Sequence, residues 1–219
     1  MSNFFNMDNP IFSVLGKICD MLFLSMAFIF LCLPIITIGP ASTALYYTVV
    51  KVIRRERGYV FKEFFKSFKL NFKRASIVGI ILTIVFVILG FDLLYAYGMT
   101  VPDSSSGSVM MGVFIGITFL TISFSIYVFP ILSRFDMTIK QLIKAAVFMS
   151  MRHLHFTILM IIVNALALII IYFFFPFIFI APAVVVLVNS FMMELVFKKY
   201  MPESDGPGEE TGRDEWYLE

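Results

Sequence analysis

The chain has 219 residues, 60% apolar and 17% aromatic, with a mean hydropathy of +0.93 and a formal net charge of +2. Soluble domains carry roughly 45 to 50% apolar residues; here too little polar surface is left to cover a water-soluble globule, and the composition is that of an integral membrane protein. The small net charge hides an asymmetry, because residues 200–219 hold seven of the fifteen acids and one of the seventeen bases.

Without that segment the body has sixteen bases against eight acids, a balance suited to anionic lipid headgroups. Its bases alternate with phenylalanines beside apolar spans, which argues against a nucleic-acid domain. The first 16 residues carry no Lys or Arg, and the apolar run from Ile18 to Ile36 is longer than a signal core, so the chain is expected to start with an uncleaved span. Cys19 and Cys32 both fall in that run and read as small apolar fillers rather than a disulfide.

The run is interrupted by "LPIITIGPAS", where Gly39-Pro40 predicts a turn. Cations then set the topology, since short loops retain Lys and Arg on the cytoplasmic side. No cation occurs for 33 residues between Lys17 and Lys51, for 59 between Arg74 and Arg134, or for 45 between Arg152 and Lys198. Two crossings of a ~30 Å hydrocarbon core and a turn need about 45 residues. The later gaps fit directly, and the first fits if Lys17 and Lys51 snorkel. The expected fold is an all-α polytopic bundle of about six spans in three hairpins, at about 18–36, 41–54, 77–97, 110–133, 155–174 and 177–197. Both termini are cytoplasmic, the turn at Gly39-Pro40 is external, and residues 200–219 form a disordered acidic tail.

Two cytoplasmic interfacial helices are expected, at about 59–73 and 138–152. In the first, Phe61, Phe64, Phe65, Phe68 and Phe72 recur at helical spacing, with Lys62, Lys66, Lys69 and Lys73 on the other side, followed by Arg74. This is the pattern of a basic amphipathic helix at a lipid surface, and its cations are the candidate face for headgroups or a partner. A weaker echo follows 78 residues later, where Lys62, Phe64, Phe65, Lys66 and Arg74 correspond to Lys140, Leu142, Ile143, Lys144 and Arg152. Two parallel units would explain it, each an interfacial helix and two spans; composition alone makes such helices alike.

Polar groups within spans are candidates for a site. Asp92 and Glu194 are the ionisable ones, and Asn164 and Asn189 the central amides. Each has a structural reading too. Asp92 is near a helix end and can reach water, Glu194 can pair with Lys198 one turn on, and the amides can hydrogen-bond between helices. No phosphate loop, zinc-protease motif, nucleophile elbow or cysteine pair at metal spacing occurs, so no catalytic residue, cofactor or metal is expected. His153 and His155, two apart, point to different faces of a helix.

"LPIITIGPASTALYYTVVKVIRRERG" followed by "FKEFFKSFKLNFKRA" resembles the YesL family of small membrane proteins of Gram-positive bacteria, a family of unknown function. Leu33-Pro34, Thr37-Ile38-Gly39-Pro40-Ala41, Ala44-Leu45-Tyr46-Tyr47 and Phe65-x-x-Phe68-Lys69-x-Asn71-Phe72 carry the likeness, which continues less specifically to about Lys199. Members are commonly found beside carbohydrate uptake and polysaccharide degradation systems, which implies a plasma-membrane accessory or regulator of carbohydrate transport, with transporter subunits as partners. A small transporter or channel through Asp92, Asn164, Asn189 and Glu194 is the alternative. A lipid- or glycan-modifying enzyme has no motif behind it.

Overall fold

The structure is a computed structural model and describes residues 10–100 and 105–200; the expected acidic tail, beyond Tyr200, lies outside the described residues. Among the described residues seven α-helices make up the architecture: α1 (Pro10–Leu31), α2 (Ile38–Thr48), α3 (Val60–Thr100), α4 (Ser105–Arg134), α5 (Ile139–Arg152), α6 (Leu154–Phe173) and α7 (Ala181–Phe197). Among the described residues there is no strand. Five segments are long and apolar enough to cross a membrane, and Ala181–Phe197 is a shorter apolar helix. Outward residues such as Ile81, Ile84, Val87, Ile88 and Phe91 on α3 leave a lipid-compatible surface. This is a polytopic helical membrane bundle.

Pro34 is extended, with φ −78° and ψ 129°, and it drives the residue before it out of helical space, which ends α1. A short 3₁₀ turn, Ile35–Thr37, follows. The Thr37 hydroxyl donates to the carbonyls of Leu31 and, at 2.7 Å, Pro34, satisfying acceptors the helix end leaves open. The exposed turn is therefore formed by residues 33–36. Gly39 and Pro40, expected to make it, lie instead in the first turn of α2 and are buried. Proline is at home there because its missing N–H has no partner to lose. Glycine is needed because the α3 backbone passes against it: a Cβ at Gly39 would lie 2.8 Å from the Ala75 carbonyl carbon and 3.3 Å from the Gly79 Cα.

From Thr48 the chain widens into a π segment, Val49–Arg54. It turns at residues 55–59, where Gly58 takes a φ of 86° and Glu56 a φ of 56°; Glu56 is held by an ion pair with Lys17. The next expected break does not occur. Residues 60–100 form one continuous helix of 41 residues, about 60 Å long at 1.5 Å per residue. The separate interfacial helix at 59–73 is thus the first part of α3. Between Phe72 and Ile77 the chain reads Lys73-Arg74-Ala75-Ser76, with no proline or glycine to end a helix.

This basic half of α3 runs antiparallel along α2. Its phenylalanine side packs on protein as well as outward: Phe64 is fully buried in a cluster with Met21, Leu24, Ala44, Leu45 and Val49. Phe65 and Phe68 are half-buried beside them, and Phe61 stays exposed against Phe23 at 5.9 Å between ring centroids. Lys62, Lys66, Lys69, Lys73 and Arg74 face outward. Gly39 meets α3 at Ala75 and Gly79, about 30 Å along the helix from its end at Thr100. The α1–α2 turn and the α3–α4 turn, both expected on the external face, therefore lie at different levels along α3.

α2 is the central element. From Ile35 to Arg54, 67% of its apolar window is buried within the protein, against 6–22% for the other long spans. α3 covers most of it, and α4 and α7 of the second half pack against it as well. The Gln141 side-chain oxygen accepts from the Thr138 N–H at 3.0 Å, the reciprocal half of a capping box, and starts α5. α5 ends at His153, which leaves helical geometry with φ −114° and ψ 45°. Here the expected interfacial helix is a separate helix. Its Leu142 is fully buried, as is the corresponding Phe64, while Lys140 and Lys144 face outward like Lys62 and Lys66. The two segments thus share a buried position and outward lysines, although Ile143 is exposed where Phe65 is half-buried and only one copy is broken from its span. Residues 177–179, expected to open the last span, belong instead to a 3₁₀ segment, Phe175–Phe179, and Pro182 enters the first turn of α7.

Candidate functional site

The polar groups of these apolar helices gather where α2, α4 and α7 meet. Glu194 of α7 forms ion pairs with Arg134 of α4 and, at 3.7 Å, with Arg55, and its carboxylate accepts from the Tyr46 hydroxyl at 3.1 Å. The Arg134 side chain is 1% exposed. A charge so deep is tolerable only with a close counter-charge and hydrogen bonds. Arg54 reaches the same region, donating to the Ser190 carbonyl at 3.1 Å with its guanidinium 4.4 Å from the Phe191 ring centroid. A second buried pair fastens the π segment after α2 to α3: the Lys51 ammonium donates to Glu63 at 2.9 Å and to the Tyr47 hydroxyl at 3.1 Å.

Beside the Glu194 cluster lies a cavity of about 300 Å³ between α2, α3, α4, α6 and α7. Its apolar wall includes Phe86, Ile122, Phe129 and Val186, and its polar wall is Ser42, Tyr46, Ser125, Asn164 and Asn189. The Asn189 side-chain oxygen is buried and has no hydrogen-bond partner. Among the described residues no three His, Cys, Asp or Glu side chains come together as a metal centre would need.

The expected candidates are thus partly united. Asn164 and Asn189 share the cavity, and Glu194 lies behind its Tyr46 wall. Asp92, half-buried on α3, is not among the lining residues. Glu194 turns inward to Arg134 rather than pairing with the exposed Lys198. Of the basic face, Arg74 forms an ion pair with Asp136. The residues missed by the sequence reading are Tyr46, Arg134, Arg55, Ser42 and Ser125. Arg134 counts among the cytoplasmic cations by sequence, and its signal is its position one turn after Pro130, at the end of an apolar helix.

At the α5–α6 junction, outside the spans, His153 is buried and its ring Nε2 lies 3.1 Å from the Tyr200 hydroxyl. Burial lowers its pKa below the ordinary 6.5, helped by Lys199, His155 and Arg152. The unfolded chain therefore takes the proton first as pH falls. Stability from this group is complete above pH 6.5 and declines below it. Thermal melting of the purified protein from pH 7.5 to 5.5 should show that decline, and His153→Gln should flatten it; an unchanged slope would assign the decline to other groups.

Fold and site together define a multi-pass helical membrane protein with an internal ion-paired cluster and a small, largely apolar cavity that carries one polar wall. Residues 19–93 match DUF624, a family described as protein of unknown function. The chain is 29% identical over 135 residues to Uncharacterized protein YteU of Bacillus subtilis (strain 168), covering 61% of this chain and 59% of that one. It is 28% identical over 121 residues to Uncharacterized protein YesL of the same organism, covering 54% and 55%. These matches support a YesL-like family of unknown function, and the chain spans less than two thirds of either relative. No solved structure matches it.

Proposed function

We propose that the protein is a non-enzymatic accessory or regulatory component of a carbohydrate transport system in a bacterial plasma membrane. Both termini are cytoplasmic in this reading, and partner contact is made by the basic half of α3. One observation carries the surface: Lys62, Lys66, Lys69 and Lys73 project from a helix whose opposite side is fixed into α1 and α2 through Phe64. A helix that merely lies on lipid leaves its phenylalanines to the acyl chains. Here the backing is protein, so the lysine stripe is held as a rigid face, complementary to acidic side chains on a partner or to headgroups. The carbohydrate class comes from the YesL resemblance. The path through Asp92, Asn164, Asn189 and Glu194 is not assembled, because Asp92 lies off the cavity.

The test is co-purification from native membranes in mild detergent, with subunits identified by mass spectrometry. Carbohydrate transporter subunits should accompany the wild type and be lost when Lys62, Lys66, Lys69 and Lys73 are all changed to Glu, with melting behaviour unchanged. Reproducible absence of such subunits, or their retention by the variant, would sink the proposal.

A further inference from the structure

The cavity wall has a chemical sense that the fold imposes. The Ser42 hydroxyl donates to the Ile38 carbonyl at 2.8 Å, the Ser125 hydroxyl to the Thr121 carbonyl at 2.8 Å, and the Tyr46 hydroxyl to Glu194 at 3.1 Å. The Asn164 amide donates to the Met160 carbonyl at 2.7 Å. Four polar side chains of the wall have therefore committed a donor to protein, and what they have left to offer is chiefly oxygen lone pairs. Asn189 adds another oxygen, buried and without a partner among the described residues, beside the N–H donors of its own amide. A buried acceptor left unsatisfied costs roughly 1–3 kcal/mol, so the wall asks for a molecule that brings donors.

Charge narrows the class. Arg134, Arg54 and Arg55 lie around the Tyr46 wall with Glu194 among them, a positive surplus that disfavours a cationic donor in a low-dielectric interior. An anion would meet oxygen lone pairs. An apolar guest would leave the Asn189 oxygen unsatisfied. A volume of about 300 Å³ is at the small end of ligand pockets, room for one ring or a short chain. The geometry points to this cavity as a binding site for a small neutral polyol, up to monosaccharide size, whose hydroxyl protons meet Ser42, Ser125, Asn164 and Asn189.

This site is independent of the basic face, so its test and the co-purification fail separately. The full chain in lipid nanodiscs is titrated calorimetrically with glycerol, xylitol and D-glucose, and with gluconate and glucosamine as charged counterparts. At least one neutral polyol should bind saturably, with gluconate and glucosamine at least tenfold weaker. Asn189→Leu and Ser125→Ala should each weaken that binding about tenfold without lowering the melting temperature measured in the absence of polyol; Ser125→Ala keeps the test open if the Asn189 variant fails to fold. Failure of all three polyols to saturate, equal binding of the charged probes, or binding indifferent to both substitutions would overturn the assignment and leave a cavity that holds water only.

Discussion

Replacing Gly39 by alanine is expected to cost the fold about 3 kcal/mol, at the upper end of what overpacking usually exacts. The added methyl would lie 2.8 Å from the Ala75 carbonyl carbon and closer still to its oxygen. Neither atom can rotate away, since both belong to the backbone of a 41-residue helix. Ala75 and Gly79 form a small-xxx-small pair facing Gly39, the arrangement by which membrane helices bring their backbones together. Gly79→Ala should be milder, because its methyl would lie 3.0 Å from the Gly39 nitrogen and 3.1 Å from the Gly39 Cα. Gly90 has nothing within 4 Å of such a methyl, and Gly90→Ala should leave stability unchanged or raise it by about 0.5–1 kcal/mol through helix propensity. Thermal denaturation of the four proteins in one detergent gives the order, with Gly39→Ala melting lowest. A Gly39→Ala protein that melts with the wild type would mean that α2 and α3 are not in backbone contact.

Gly39 also marks where the sequence stops being legible. Membrane class, helical content and the separate α5 with its buried Leu142 follow from hydropathy and 3.6-residue periodicity, both local properties. The glycine and proline of "IGPA" signal a departure from ordinary helix, but two departures share that signature: a surface turn, and a helix start pressed against another backbone. The second depends on Ala75 and Gly79, more than thirty residues on, and no local pattern reports it. The continuity of α3 was hidden differently. Amphipathic residues before an apolar span suggest two helices, yet polarity changes end no helix; that takes a residue such as Pro34, and none stands between Phe72 and Ile77. Arg134 escaped notice because counting cations assigns them to water, whereas its side chain is 1% exposed against Glu194. The asparagines were legible as polar interruptions, but their common cavity was not, since α6 and α7 bring them together only in three dimensions.

The Glu194 cluster should show the second large effect. Glu194→Leu takes from Arg134 the carboxylate that faces it in the protein interior, and breaking a buried pair from one side costs about 3–5 kcal/mol. Arg134→Met should be less damaging, because Glu194 is 12% exposed and retains Arg55 at 3.7 Å and the Tyr46 hydroxyl. The double variant Arg134→Met/Glu194→Leu should recover most of the loss. Two charges brought out of water are replaced by apolar groups of similar volume, an exchange that is often neutral or stabilising. A thermal double-mutant cycle in detergent isolates the coupling, expected at about 2–3 kcal/mol for neighbours within one network. Additive single effects would show that the pair does not join α4 to α7. A recovered double variant would show that the charges are dispensable for stability, and it would release the Tyr46 proton that Glu194 holds away from the cavity wall.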